Sequence, residues 1–179
     1  MTEETEETDA DDERTYRHLH SADAPDAPSR TTHKYELDRA VGATEFGFNR
    51  YVADPGQRIP WGRHYHPDHE EAFYVVSGAV AFTVGPLDDP ETIRVGPGEM
   101  FYVPANTPQE AVAVGDEPLE MLAVGAPKAT DAAVVEETCP DCGAVTGRTF
   151  EVVDVGATYV LFCEACGEEV DRLVSGPGE

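Results

Sequence analysis

The sequence predicts an all-β protein in two unequal parts: a barrel or sandwich of short strands, then a small module stapled by metal. Three observations predict it. Between residues 33 and 126, short apolar, β-branched and aromatic runs are bounded by Gly, Pro and Asp, and no helical periodicity of any length appears. Two histidines, His64 and His66, stand two residues apart ahead of a carboxylate, Glu71. All four cysteines lie beyond residue 138, as two Cys-x-x-Cys pairs.

The elements follow in chain order. Residues 1–31 are rich in Glu, Asp, Thr, Pro and Ala and poor in large apolar residues, so a disordered acidic tail is expected. His18 and His20 lie in it and read as solvated, because a flexible segment offers no fixed ligand geometry. Residues 32–126 form the main domain. Its expected strands are 35–37, 45–52, 72–76, 79–84, 92–95, 100–103, 110–114 and 119–124. Ser77-Gly78 reads as a tight turn and Gly96-Pro97-Gly98 as another. Residues 127–138 look like a partly helical linker, and the cysteine module occupies 139–173.

Side chains at i and i+2 share one face of a strand, so His64 and His66 both aim into one cavity. Glu71 follows a Pro-Asp turn at the head of the strand Ala72–Val76. Two imidazoles and a carboxylate converging on a point make a divalent metal site. The spacing, His-x-His, four residues, Glu, six residues, Gly78, resembles the first signature of the cupin family. The run from Gly98 to Gln109 resembles the second, with two departures. Asn106 replaces a glycine, and Asn tolerates positive φ better than most residues. Gln109 replaces the third ligand histidine, and its carbonyl is a weaker ligand than imidazole. The resemblance covers residues 33–126. It implies a double-stranded jelly roll, a metal (Mn2+, Fe2+, Zn2+ or Ni2+) on His64, His66, Glu71 and Gln109, and a homodimer through the barrel as one form of assembly. His69 and Glu70 are expected to face solvent, with either able to substitute as a ligand if the strand register differs by one residue; Tyr65 is expected to point outward, and Trp61 to form core or cavity wall. Phe73, Val75, Phe82, Phe101 and Val103 are expected in the core.

Cys139, Cys142, Cys163 and Cys166 have the spacing of a tetrahedral four-cysteine zinc site. Thr149–Val155 and Thr158–Phe162 read as a hairpin between the pairs, so the module resembles a zinc ribbon. A redox Cys-x-x-Cys would need a βαβ context that is absent, and an iron–sulfur site would show other spacing. So short a segment has little core, and metal would supply much of its folding free energy. From Cys139 onward there are only two arginines, Arg148 and Arg172, against a larger number of acids, so docking on protein, the barrel included, is expected rather than on nucleic acid.

The formal net charge is −24, from 36 acids and 12 bases, of which only Lys34 and Lys128 are lysines. This pattern is similar to that of proteins from salt-loving organisms, the haloarchaeal type. At about 1 M salt the Debye length is about 3 Å, which screens most repulsion between surface acids. No basic patch suits nucleic acid. No apolar run approaches the ~18 residues of a membrane span. The acidic start of the chain is unlike a signal peptide, and a cytoplasmic location is expected. Two functions fit. One is a metal-dependent oxygenase or isomerase acting on a small chelating substrate. The other is a small-ligand binding or sensing barrel whose ribbon contacts a protein.

Overall fold

The computed structural model describes residues 16–176. The first strand, β1 (His33–Glu36), is followed by a single helical turn, α1 (Leu37–Val41). Eight strands follow: β2 (Gly47–Ala53), β3 (Arg58–Tyr65), β4 (Glu70–Ser77), β5 (Val80–Val84), β6 (Glu91–Val95), β7 (Met100–Val103), β8 (Gln109–Ala113) and β9 (Leu119–Ala126). Two short strands, β10 (Val134–Val135) and β11 (Glu137–Thr138), lead into the cysteine module. That module holds β12 (Val145–Thr146), β13 (Arg148–Val153), β14 (Thr158–Cys163) and β15 (Glu169–Val174). No helix among the described residues is long and apolar enough to cross a membrane.

Two five-stranded sheets make the barrel, in the orders β1-β2-β9-β4-β7 and β10-β3-β8-β5-β6. Alternation decides which residues face inward. In β8 the burial runs buried, partial, buried, partial, buried, and β9 repeats it. Inward residues of both sheets meet in one core that includes Ile59, Phe73, Val75, Phe82, Val103, Leu119 and Met121. Phe82 is its centre, with ring centroids 4.9 Å from Phe73 and 4.5 Å from Phe101. This is the barrel expected from the strand pattern, in the jelly-roll form that the family resemblance implied. The five-residue α1 was not foreseen, because one turn is too short to show a 3.6-residue period.

Two stretches differ from expectation. Residues 1–15 of the predicted tail lie outside the described residues, but the prediction carried the tail to residue 31. Residues 24–31 are instead packed: Ala24, Ala27, Ser29 and Thr31 are buried. Their backbone pairs with β1 through Ala27 N to Lys34 O (2.9 Å), and with β15 through Ser29 N to Val174 O (3.1 Å). Small side chains let this segment lie close between barrel and module, and its stability comes from backbone pairing rather than bulk. His18 and His20 are exposed. The expected linker is a strap. A 3-10 turn at Lys128–Thr130 follows β9, Thr130 Oγ1 donates to Asp68 O (2.8 Å), and β10 pairs with Tyr65 and His64 of β3.

Arg30 and Glu137 join the two parts. The Arg30 guanidinium donates to Glu137 Oε1 (2.8 Å), Asp171 Oδ2 (2.7 Å) and Trp61 O (2.6 Å). The module is a three-stranded sheet, β13-β14-β15, beside the β11–β12 pair. Its third strand is not marked in the sequence, because half of Glu169–Val174 is charged and only Leu173 is deeply buried.

Candidate metal centre

Gly62 sets the geometry of the first histidine. Its φ of +95° bulges β3, where the register with β8 shifts between Ile59 and His64. A Cβ there would run into Glu137 and Arg30. The bulge turns the Gly62 carbonyl onto His64, whose Nδ1–H donates to it at 2.8 Å. His64 Nε2 is then left with its lone pair. His66 lies just past the end of β3, its ring 5.2 Å from that of His64 and nearly perpendicular to it. Asn106, at φ +59° as anticipated, donates its N–H to His66 O at 2.7 Å and so pins the second motif on the first.

Glu71 enters from β4 in the opposite sheet. Its Oε2 lies 3.8 Å from His66 Nε2, and donor atoms of His64, His66 and Glu71 all fall within 4.8 Å of one another. Burial raises the Glu71 carboxyl to about 7, helped by the charge of Asp131 and opposed by its hydrogen bond to Gln109. Burial likewise lowers both imidazoles, His66 to about 4 with His64 and His69 adding repulsion, so the rings are neutral and able to ligate. A divalent cation would compensate this buried carboxylate and reverse its shift. The donor chemistry fits such an ion.

Gln109 sits directly across from His64 on β8, in the place expected for a fourth ligand. Its amide nitrogen, however, donates to Glu71 Oε2 at 2.6 Å. In this arrangement Gln109 orients the carboxylate rather than presenting its own oxygen to the ion. His69 departs further from expectation. Predicted to face solvent, it is 3 % exposed, with its ring 4.8 Å from His66. Gly125 of β9 makes the room, since any Cβ there would collide with the His69 ring. Glu70 is exposed as expected and accepts from Tyr102 Oη at 2.7 Å. Asp131, on the strap, was not singled out at all. Its Oδ1 lies 3.2 Å from His66 Nδ1. No local pattern marks such a residue, because only the strap's path brings it there.

Above these residues is a cavity of about 410 Å³. Its floor is His64, His66, His69, Glu71 and Asp131, and its outer wall is the cysteine module: Arg148, Phe150, Tyr159 and Leu161. Trp61 seals the seam, stacked on Tyr159 at 5.6 Å and 7° and tilted against Phe150 at 6.3 Å. Arg148 donates to the carbonyls of Thr146, Gly147 and Glu137, and among the described residues it has no carboxylate partner.

The four cysteines form a separate cluster. Cys139 and Cys166 are 3.8 Å apart at sulfur, Cys142 and Cys163 3.9 Å. A tetrahedral ion with sulfurs at about 2.3 Å needs edges of about 3.8 Å. Each pair closes the same turn, with Gly143 N donating to Cys139 O and Gly167 N to Cys163 O. Burial would raise the Cys163 thiol, but the N–H groups of Cys166 and Ala165 and the neighbouring thiols pull it down to about 7. The set fits zinc.

Residues 49–125 match the family model described as Cupin domain. The match spans less than half of the chain, and the barrel has the cupin double-stranded jelly-roll fold. No curated protein is similar enough to the chain to count as a relative. Among solved structures, the cupin barrel resembles a polyketide cyclase from Streptomyces resistomycificus (22% identity, 66% of this chain and 84% of that one, TM-score 0.54). It also resembles oxalate decarboxylase from Bacillus subtilis (20% identity, 62% of this chain, TM-score 0.52), of which this chain spans only 29%. A third is a conserved protein with a double-stranded β-helix domain from Klebsiella pneumoniae (18% identity, 66% and 97% covered, TM-score 0.53). At these identities the likeness is one of fold.

Proposed function

We propose that the protein is a metal-dependent cupin whose barrel ion, held by His64, His66 and Glu71, binds a small chelating substrate for oxygenation or isomerisation. The observation that carries this reading is the convergence of two neutral imidazoles and a buried carboxylate on the floor of a walled cavity. Three protein donors leave positions open on a divalent ion, and a bidentate oxygen ligand can take two of them. A cavity near 400 Å³ suits a small molecule. Gln109 holds Glu71 in place, and ribbon residues Arg148, Phe150, Tyr159 and Leu161 wall one side of the cavity. The oxalate decarboxylase and polyketide cyclase folds show how varied the chemistry of this barrel is, so the reaction is argued from the site and not from the fold.

A second reading has an observation of its own. Trp61 stacks on Tyr159 at the cavity's edge, so ligand in the cavity would be felt directly by the ribbon. In that reading the protein is a sensor, and the ribbon passes occupancy to a protein partner. One experiment separates the two. Protein reconstituted with Fe(II), or with Mn(II), is mixed with α-hydroxy-ketone and β-diketone chelators while oxygen uptake and product isomers are followed. Turnover lost in His64→Ala supports the enzyme. Tight binding that changes Trp61 fluorescence with no turnover supports the sensor.

A further inference from the structure

We propose that the barrel offers its cation two overlapping positions that share His66: one on His64, His66 and Glu71, the other on His66, His69 and Asp131. The inference rests on the barrel being a metal centre, and it adds a donor set that the two sequence signatures do not contain. The second set stands between the turn after β3 and the strap after β9. His66 Nδ1 lies 3.2 Å from Asp131 Oδ1, and His69 Nε2 lies 4.0 Å from the same oxygen. All three donor atoms fall within 4.8 Å of one another. Nitrogen and oxygen ligands about 2.1 Å from one ion stand about 3.0–3.4 Å apart at right-angled to tetrahedral geometry. The first distance already fits. The second, 4.0 Å, lies beyond that range and would close if Asp131, whose side chain is half-exposed, turned toward His69.

The site is built rather than incidental. His69 Nδ1–H donates to Pro127 O at 3.0 Å, which leaves Nε2 bare, 4.0 Å from Asp131 Oδ1. The side chain of His66 is 9% exposed, and its Nδ1 is buried without a hydrogen-bond partner. Such a group is costly unless something satisfies it. Gly125 vacates the space that the His69 ring fills, and Thr130 ties the strap to Asp68 in the same turn. A neutral imidazole has one lone pair. His66 therefore ligates through Nε2 in the first position or Nδ1 in the second, and the barrel holds one ion at a time.

Cobalt(II) is the probe, added to the full chain with zinc left in the ribbon. Wild type should take one Co(II) in the barrel, with d–d bands and no thiolate charge transfer. His64→Ala/Glu71→Ala should still take one, about 10–100-fold more weakly and with a shifted spectrum. Adding Asp131→Asn to that variant, or making His66→Ala alone, should abolish binding. His64→Gln/Glu71→Gln serves should the alanine variant fail to fold. Loss of Co(II) from the folded two-site variant overturns the second position while leaving the barrel centre intact. Wild type that takes no Co(II) overturns the metal reading itself.

Discussion

The barrel and the ribbon are both β-structures, yet they are held by different forces. The barrel buries a continuous apolar core drawn from both sheets, with Phe82, Ile59, Leu119 and Met121 inaccessible or nearly so. The ribbon buries Val160, Leu161 and Leu173, and its other deeply buried residues include two of its cysteines, while Phe150 and Val152 stay more than half exposed. So small a core does not offset the chain entropy of three strands and two turns. We infer from this contrast that metal would matter differently to each part. In the ribbon, an ion on the four cysteines would stand in for the missing core. In the barrel, an ion would occupy a site that the fold has already shaped.

The largest expected effect follows from that contrast. Removing zinc with a chelator, or replacing Cys139 and Cys142 by Ser, should unfold the ribbon and leave the barrel standing. Limited proteolysis should then cut between residues 139 and 174 and spare β2–β9. Simultaneous loss of the barrel would show that the two share one cooperative unit. The mirror experiment is Phe82→Ala, which should cost about 3–5 kcal/mol in denaturant melts of the barrel. Zinc content of the still-folded variant should not change.

A smaller effect belongs to the joint. Arg30→Ala strips Glu137 and Asp171 of their shared partner. We expect a loss of roughly 2–3 kcal/mol, between that of an exposed pair and that of a fully buried one. Trp61 emission should shift to the red as its stack on Tyr159 loosens. An unchanged melt and spectrum would mean that aromatic contacts alone hold the parts together. The smallest effect is spread over the surface. With 36 acids against 12 bases, the melting temperature should rise from dilute buffer to about 1 M potassium chloride as repulsion is screened. A salt-independent melt would remove the inference of a high-salt source.

Much of this was legible in the sequence where the evidence is local. Short apolar runs bounded by Gly, Pro and Asp mark the strands, β8 and β9 among them, and the His-x-His, Glu and cysteine spacings mark two candidate ligand sets. What was hidden depends on distant parts of the chain. Asp131 and His69 join the centre only because the strap returns beneath the turn after β3. Residues 24–31 look like tail because Ala24, Ala27 and Ser29 carry no bulk, yet their smallness is what admits them between the two parts. Gln109 shows the limit of motif reading: the strand register places it by His64 as the spacing implied, but its amide turns to Glu71.

We propose that one chain carries two independent metal centres, one structural on the cysteines and one at the cavity. Elemental analysis of purified, buffer-exchanged protein tests it most directly. Wild type should hold about two divalent ions per chain, one of them zinc, and His64→Ala/His66→Ala should hold about one, the zinc alone. A double variant that keeps the wild-type metal content would contradict the claim.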